Sequence, residues 1–210
     1  MQLFFDIDGV LLNFERAFVG FLNSAYGMGL PERYQTPSWF FDDLLSKEEM
    51  YRRWQAFLDS RESGEMEPLV SPEEFSALTN GNEVHLLTNF PLPYMAKREQ
   101  NLASLGIAYQ SLHFCGLHPY KETVPPSKAD IVSQLRQPGQ TAFFVDDHPE
   151  NCLDVLDNCD TVEVWLMSRH FNAEFEHPEV QRAHGWPCLF DRLSQENRQR
   201  LVARERAVPG

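Results

Sequence analysis

Leu3-Phe4-Phe5-Asp6-Ile7-Asp8-Gly9-Val10 stands almost at the start of the chain. Three bulky apolar residues ending on an acid read as a short buried β-strand that leaves its sheet at Asp6. Comparable runs recur at Val84-His85-Leu86-Leu87, Ala142-Phe143-Phe144-Val145 and Val162-Glu163-Val164-Trp165-Leu166, with a weaker one at Leu112-His113-Phe114-Cys115. Helical patterns lie between them. Phe14, Phe18, Phe21, Leu22 and Ala25 share one helix face, as do Met50, Trp54, Phe57 and Leu58 behind the capping box Ser46-x-x-Glu49. Ser71-Pro72-Glu73-Glu74 opens another helix, and Gly106 closes the one carrying Met95, Leu102 and Leu105. Short strands alternating with helices predict an α/β fold, a parallel sheet with helices on both faces.

One interval is out of proportion. The 79 residues from Gly9 to Leu87 separate the first strand from the end of the second, whereas a plain crossover needs about a dozen residues plus its loops. The excess predicts a helical subdomain at 14–79, inserted into a core made of 1–13 and 80–210. This insertion is rich in aromatics, among them Phe18, Phe21, Tyr26, Tyr34, Trp39, Phe40, Phe41, Trp54 and Phe57. The charged tail from Ser194 to Arg206 reads as a solvated helix.

Composition narrows the class. The chain has 210 residues with a formal net charge of −13, which argues against DNA or RNA as a partner, because phosphate contacts require Lys and Arg. Its length suits one domain with an insertion. The cysteines Cys115, Cys152, Cys159 and Cys188 contain no C-x-x-C pair. They are expected to be free buried thiols in a reducing compartment. No stretch reaches the ~18 apolar residues of a membrane span, and the N-terminus lacks a basic region and a cleavage site. The expectation is a soluble cytoplasmic protein, monomer or homodimer, without a membrane partner.

The residues able to carry chemistry gather at predicted strand ends, where open parallel sheets bind ligands. Asp6 and Asp8 follow the first strand, Asp146 and Asp147 follow Val145, and Thr88-Asn89 follow Leu87. Single acids at such ends commonly serve turns. Four carboxylates converging there call for a cation, and hard oxygen ligands select Mg²⁺. Lys128 begins a helix behind Ser127, 18 residues before Asp146.

In this order the elements resemble the haloacid dehalogenase-like (HAD) superfamily of phosphohydrolases, from about residue 3 to residue 167. Asp6-Ile7-Asp8-Gly9-Val10 matches its D-x-D-G-[VT] motif and Leu86-Leu87-Thr88-Asn89 its hydrophobic-run-then-Thr/Ser motif. Lys128 stands at the motif lysine, and Asp146-Asp147 with Asn151 match the D-D-x-x-x-N form of the last motif. The resemblance implies a Rossmann-like core with a small helical cap inserted after the first strand. It also implies a Mg²⁺-dependent phosphomonoesterase, with Asp6 as nucleophile forming an aspartyl-phosphate and Asp8 as general acid–base. Mg²⁺ would be held by Asp6, the backbone carbonyl of Asp8, Asp146 and Asp147. Thr88, Asn89 and Lys128 would bind substrate. An acid at Asp8 argues against the dehalogenase and phosphonatase branches. Gly9-Val10-Leu11-Leu12-Asn13-Phe14-Glu15, Trp39-Phe40-Phe41 and Met66-Glu67-Pro68-Leu69 more loosely resemble the 5′(3′)-deoxyribonucleotidase branch, which makes a small phosphorylated metabolite the expected partner, with a nucleoside monophosphate the first candidate and a sugar phosphate the next. A non-catalytic phospho-ligand-binding protein and a phosphotransferase are the alternatives.

The remaining polar residues divide simply. Lys128 is preferred to Lys121 as the phosphate clamp, because a cation in the first turn of a helix opposes the macrodipole unless an anion lies nearby. Asn151 is expected to orient Asp146, His148 to mark a helix entry, and His85 to be a satisfied buried histidine. Trp39, Phe40 and Phe41 either stack on a base or form the core of the cap.

Overall fold

The computed structural model describes residues 1–38, 41–115 and 125–207, with side chains through Gln199. Six strands form one parallel sheet: β1 (Gln2–Asp6), β2 (Glu83–Thr88), β3 (Ser111–Phe114), β4 (Ala142–Asp146), β5 (Val162–Met167) and β6 (Val180–Ala183), in the order β3-β2-β1-β4-β5-β6. The strand order reverses between β1 and β4, the crevice where such sheets bind ligands. Every residue of β1 and of β4 is buried, as expected of central strands covered on both faces.

Side-chain alternation along β1 builds two cores. Leu3 and Phe5 point to one face, where Phe5 meets Phe75 of α3 (Pro72–Thr79) and Trp186 of α7 (Trp186–Ala207), with ring centroids 5.5 and 5.6 Å away. Phe4 points to the other, joining Phe144, Val132 of α5 (Lys128–Leu135) and Val155 of α6 (Pro149–Asn158). Helices therefore cover both faces, as the alternation of strands and helices predicts. The last helix of the 14–79 stretch, α3, rests on the sheet.

Ahead of α3, the insertion contains α1 (Phe14–Tyr26), α2 (Lys47–Asp59) and a 3-10 turn at Glu62–Gly64. Its own small core is aromatic: Phe18 contacts Phe41 and Phe57 edge-on at 5.1 and 5.3 Å, and Phe14 and Phe21 close on Phe57. Phe41 is thus a core residue of the insertion. Trp39 and Phe40 lie outside the described residues, as does Lys121. Two adjacent chain segments join the insertion to the rest of the fold. Asn13 N donates to Glu67 O at 2.9 Å and Leu69 N to Leu11 O at 2.7 Å, so the outgoing and returning chains pair as a short antiparallel hinge.

Two elements depart from expectation. β6 has no counterpart among the predicted strands, since Val180-Gln181-Arg182-Ala183 has only one large apolar residue and sits at a sheet edge. The terminal helix starts at Trp186, before the expected Ser194, because Trp186, Leu189 and Leu193 bury its first turns against the sheet. Among the described residues no helix is long and apolar enough to cross a membrane. Cys115, Cys152 and Cys159 are buried free thiols, and Cys188 is half-buried.

Candidate active site

The strand register assembles the site. Phe5 pairs with Val145 and Asp6 with Leu87, so Asp6 emerges between Asp146 on one side and Thr88 on the other. Lys128, the first residue of α5, reaches across: its ammonium lies 2.5 Å from Asp6 Oδ1 and 2.7 Å from Asp146 Oδ2. Ser127 caps α5 and makes a reciprocal capping box with Asp130, which fixes the turn that aims Lys128. All three charged side chains are buried.

Asp6, Asp146 and Asp147 offer carboxylate oxygens within 4.8 Å of one another. Burial is the largest influence on Asp6 and raises its carboxyl above the ordinary range. Lys128 works against this, while Asp146 and Asp8 add to it. Asp147 is raised well above that range, first by burial and then by Asp6 and Asp146. Three buried acids beside one ammonium leave excess negative charge at low dielectric. The donor set is hard oxygen, as Mg²⁺ requires, so the residues present fit such an ion. Asp146 is held by Asn151, whose Nδ2 lies 3.1 Å from both of its oxygens, and by the backbone N–H of His148 at 2.8 Å. Asn151 thus orients Asp146, and His148 marks the entry of α6.

Asp8 lies apart from this trio. Its Oδ1 pairs with the Arg98 guanidinium at 2.7 Å, on α4 (Met95–Ser104), and Thr88 Oγ1 donates to Oδ2 at a long 3.4 Å. Burial raises the Asp8 carboxyl more than Arg98 and Lys128 lower it. Thr88 is fully buried and also accepts from Phe90 N at 3.0 Å. Asn89, next to it, has a buried Oδ1 with no hydrogen-bond partner. His85, buried on β2, has Nδ1 2.7 Å from Ser111 Oγ, and burial lowers its pKa.

Three supporting residues escape sequence reasoning. Arg169, just past β5, donates from Nε to Gly9 O at 2.7 Å and also from Nη2 to the same oxygen. Asn172 donates to Asp147 O at 2.7 Å and Met167 O at 2.9 Å. Trp186 Nε1 donates to Val10 O at 3.0 Å. Together they hold the two acidic loops by their carbonyls. Arg98 is the fully buried cation of α4. Its trace in the sequence is a charge three residues after Met95 and four before Leu102, inside an apolar stripe.

No family model and no curated protein matches the chain. Among solved structures, it is similar to a haloacid dehalogenase-like hydrolase from Streptococcus pneumoniae at 14% identity and TM-score 0.56, covering 90% of this chain and 96% of that one. A HAD hydrolase from Bacillus subtilis bound to magnesium matches at 14% identity and TM-score 0.56, with 92% and 98% covered. CbbY from Rhodobacter sphaeroides in complex with phosphate matches at 17% and 0.51, with 86% and 92% covered. At these identities the likeness is one of fold: the chain has the α/β fold of HAD-superfamily hydrolases.

Proposed function

We propose that this HAD-fold chain is a Mg²⁺-dependent phosphomonoester hydrolase acting on a small phosphorylated metabolite. The observation that carries the reading is Lys128 bridging Asp6 and Asp146 beside Asp147, at the crevice where the strand order reverses. Asp6, Asp146 and Asp147, with the backbone carbonyl of Asp8, would hold the ion, which when bound neutralises charge on the phosphoryl oxygens. Asp6, its anionic form favoured by Lys128 against the burial that raises it, attacks phosphorus and forms an aspartyl-phosphate, splitting one hard step into two. Asp8 protonates the leaving oxygen and then accepts a proton from water. Lys128, Thr88 and Asn89 bind phosphoryl oxygens and the groups beside them, in a reaction governed by position and charge.

The same fold hosts several chemistries. An acid at Asp8 favours phosphate esters, because a dehalogenase has no use for a proton donor there. A nucleoside monophosphate is the first substrate candidate, on the sequence likeness around Gly9–Glu15, Trp39–Phe41 and Met66–Leu69, and a sugar phosphate is the second. A cytoplasmic setting suits such a substrate. Phosphate release from a metabolite panel, with Mg²⁺ and with chelator, tests the reading. Release that stops with chelator and with Asp6→Asn is the expected result. Binding of phosphorylated ligands without any turnover would favour the non-catalytic alternative.

A further inference from the structure

Asp8 is paired with a buried cation that the steps above leave unused. Arg98 has no exposed surface, and its guanidinium lies 4.0 Å from the ring centre of Phe90. Nη2 binds Asp8 Oδ1 at 2.7 Å, Nη1 makes long contacts to Asn101 Oδ1 at 3.5 Å and Met66 Sδ at 3.6 Å, and Nε has no hydrogen-bond partner. A buried guanidinium with an unsatisfied N–H costs stability that an apolar residue at this position would not. Packing of α4 therefore does not account for it, whereas its short contact to Asp8 does. The neighbouring Asn101 grips the cap's returning chain: its Oδ1 accepts from Met66 N and its Nδ2 donates to Met66 O, both at 3.2 Å. Met66 immediately precedes the hinge segment Glu67–Leu69.

We infer that Arg98 is a positioning residue for proton transfer by Asp8, an inference that rests on the phosphomonoesterase reading. By occupying Oδ1 it turns Oδ2, which has only the long Thr88 contact, toward the leaving group. In the first step Asp6 forms a bond to phosphorus while the ester P–O bond breaks, and the leaving oxygen takes the proton from Asp8 Oδ2. In the second, Oδ2 takes a proton from the water that bonds to phosphorus as the bond to Asp6 breaks. The seat of Arg98 against Met66 and Asn101 ties this orientation to the cap hinge.

The test compares two esters with Mg²⁺ present: p-nitrophenyl phosphate, whose leaving oxygen needs little protonation, and an alkyl phosphate, whose leaving oxygen needs it fully. Arg98→Met should lower kcat/KM for the alkyl ester on the order of 10²-fold and for the aryl ester less than about tenfold, and Arg98→Lys should recover part of the loss. Equal losses on both esters in a folded variant would overturn the inference, since damage to the fold or the metal site does not sense the leaving group. Should Arg98→Met not fold, the alkyl-to-aryl ratio of Arg98→Lys decides in the same way. A wild-type protein inactive on both esters, seen before any variant is made, would overturn the phosphatase reading and this inference with it.

Discussion

Gly9 lies against Asp147 so closely that a β-carbon on it would stand 1.8 Å from Asp147 Oδ2, and its φ is +84°. Both facts demand glycine: the left-handed backbone disfavours a side chain, and the space is already filled by the acid. Gly9→Ala should cost at least about 1–3 kcal/mol of stability from backbone strain alone, and activity should fall further as Asp147 is displaced. Denaturant unfolding together with Mg²⁺-dependent phosphate release measures both. A variant as stable and active as wild type would mean that this approach is not made in solution.

The buried Lys128 is central to the charge balance of the site. Lys128→Ala strands Asp6 and Asp146 as uncompensated buried carboxylates, a change that commonly costs 3–5 kcal/mol. It also removes a phosphoryl donor, so kcat/KM should fall about two orders of magnitude. Lys121→Ala serves as the comparison and should stay near wild type. Kinetics on the two purified variants give the ranking, and the reverse order would assign the clamp to Lys121.

Stability should depend jointly on pH and Mg²⁺. Asp6, Asp8 and Asp147 are all raised above the ordinary carboxylate value of 3.8, so the folded state binds their protons more tightly than the unfolded state does. The contribution of these acids to the stability of the cation-free protein therefore falls as pH rises from about 3.8 through their raised values. A divalent ion competes with protons for the same oxygens. Mg²⁺ should raise Tm more at pH 8 than at pH 5.5, by an amount equivalent to about 2.7 kcal/mol at roughly 100 times its Kd. Asp147→Asn should remove most of the shift. A Tm indifferent to Mg²⁺ at both pH values would argue against an ion held by this trio.

The aromatic core of the cap leads to a separate expectation. Phe57 has no exposed surface and touches Phe14, Phe18 and Phe21, so Phe57→Ala should cost about 3–5 kcal/mol. The loss of activity should be the same for a nucleotide and for an aryl phosphate. A selective loss on the nucleotide, with Tm unchanged, would instead make Phe57 a substrate contact.

Thiol reactivity reports the packing of the other face. Cys115, Cys152 and Cys159 are buried, and burial pushes the Cys115 thiol up to about 12. In the folded protein only the half-buried Cys188 should react promptly with a thiol reagent at pH 8. Mass spectrometry of the modified peptides identifies the site, and fast labelling of Cys115 would mean that α5 opens readily from the sheet.

What was legible in the sequence was local. Apolar runs ending on Asp6, Thr88 and Asp146 mark strands that close on polar residues, and those three sites, with Lys128 behind its Ser127 cap, follow from periodicity and end chemistry within short windows. β6 left too little apolar signal, because this short edge strand buries only Ala183 and half-buries Val180. The start of α7 was obscured in the same way: Trp186, Leu189 and Leu193 gain their meaning only from the sheet beneath them. Tertiary structure alone decided the partners. Arg98 and Asp8 are 90 residues apart, and Arg169 and Gly9 are 160 apart. No spacing rule joins such pairs, because they meet only when α4 and the turn after β5 reach the loop that follows β1, where the low-dielectric interior makes each buried charge or carbonyl require a partner.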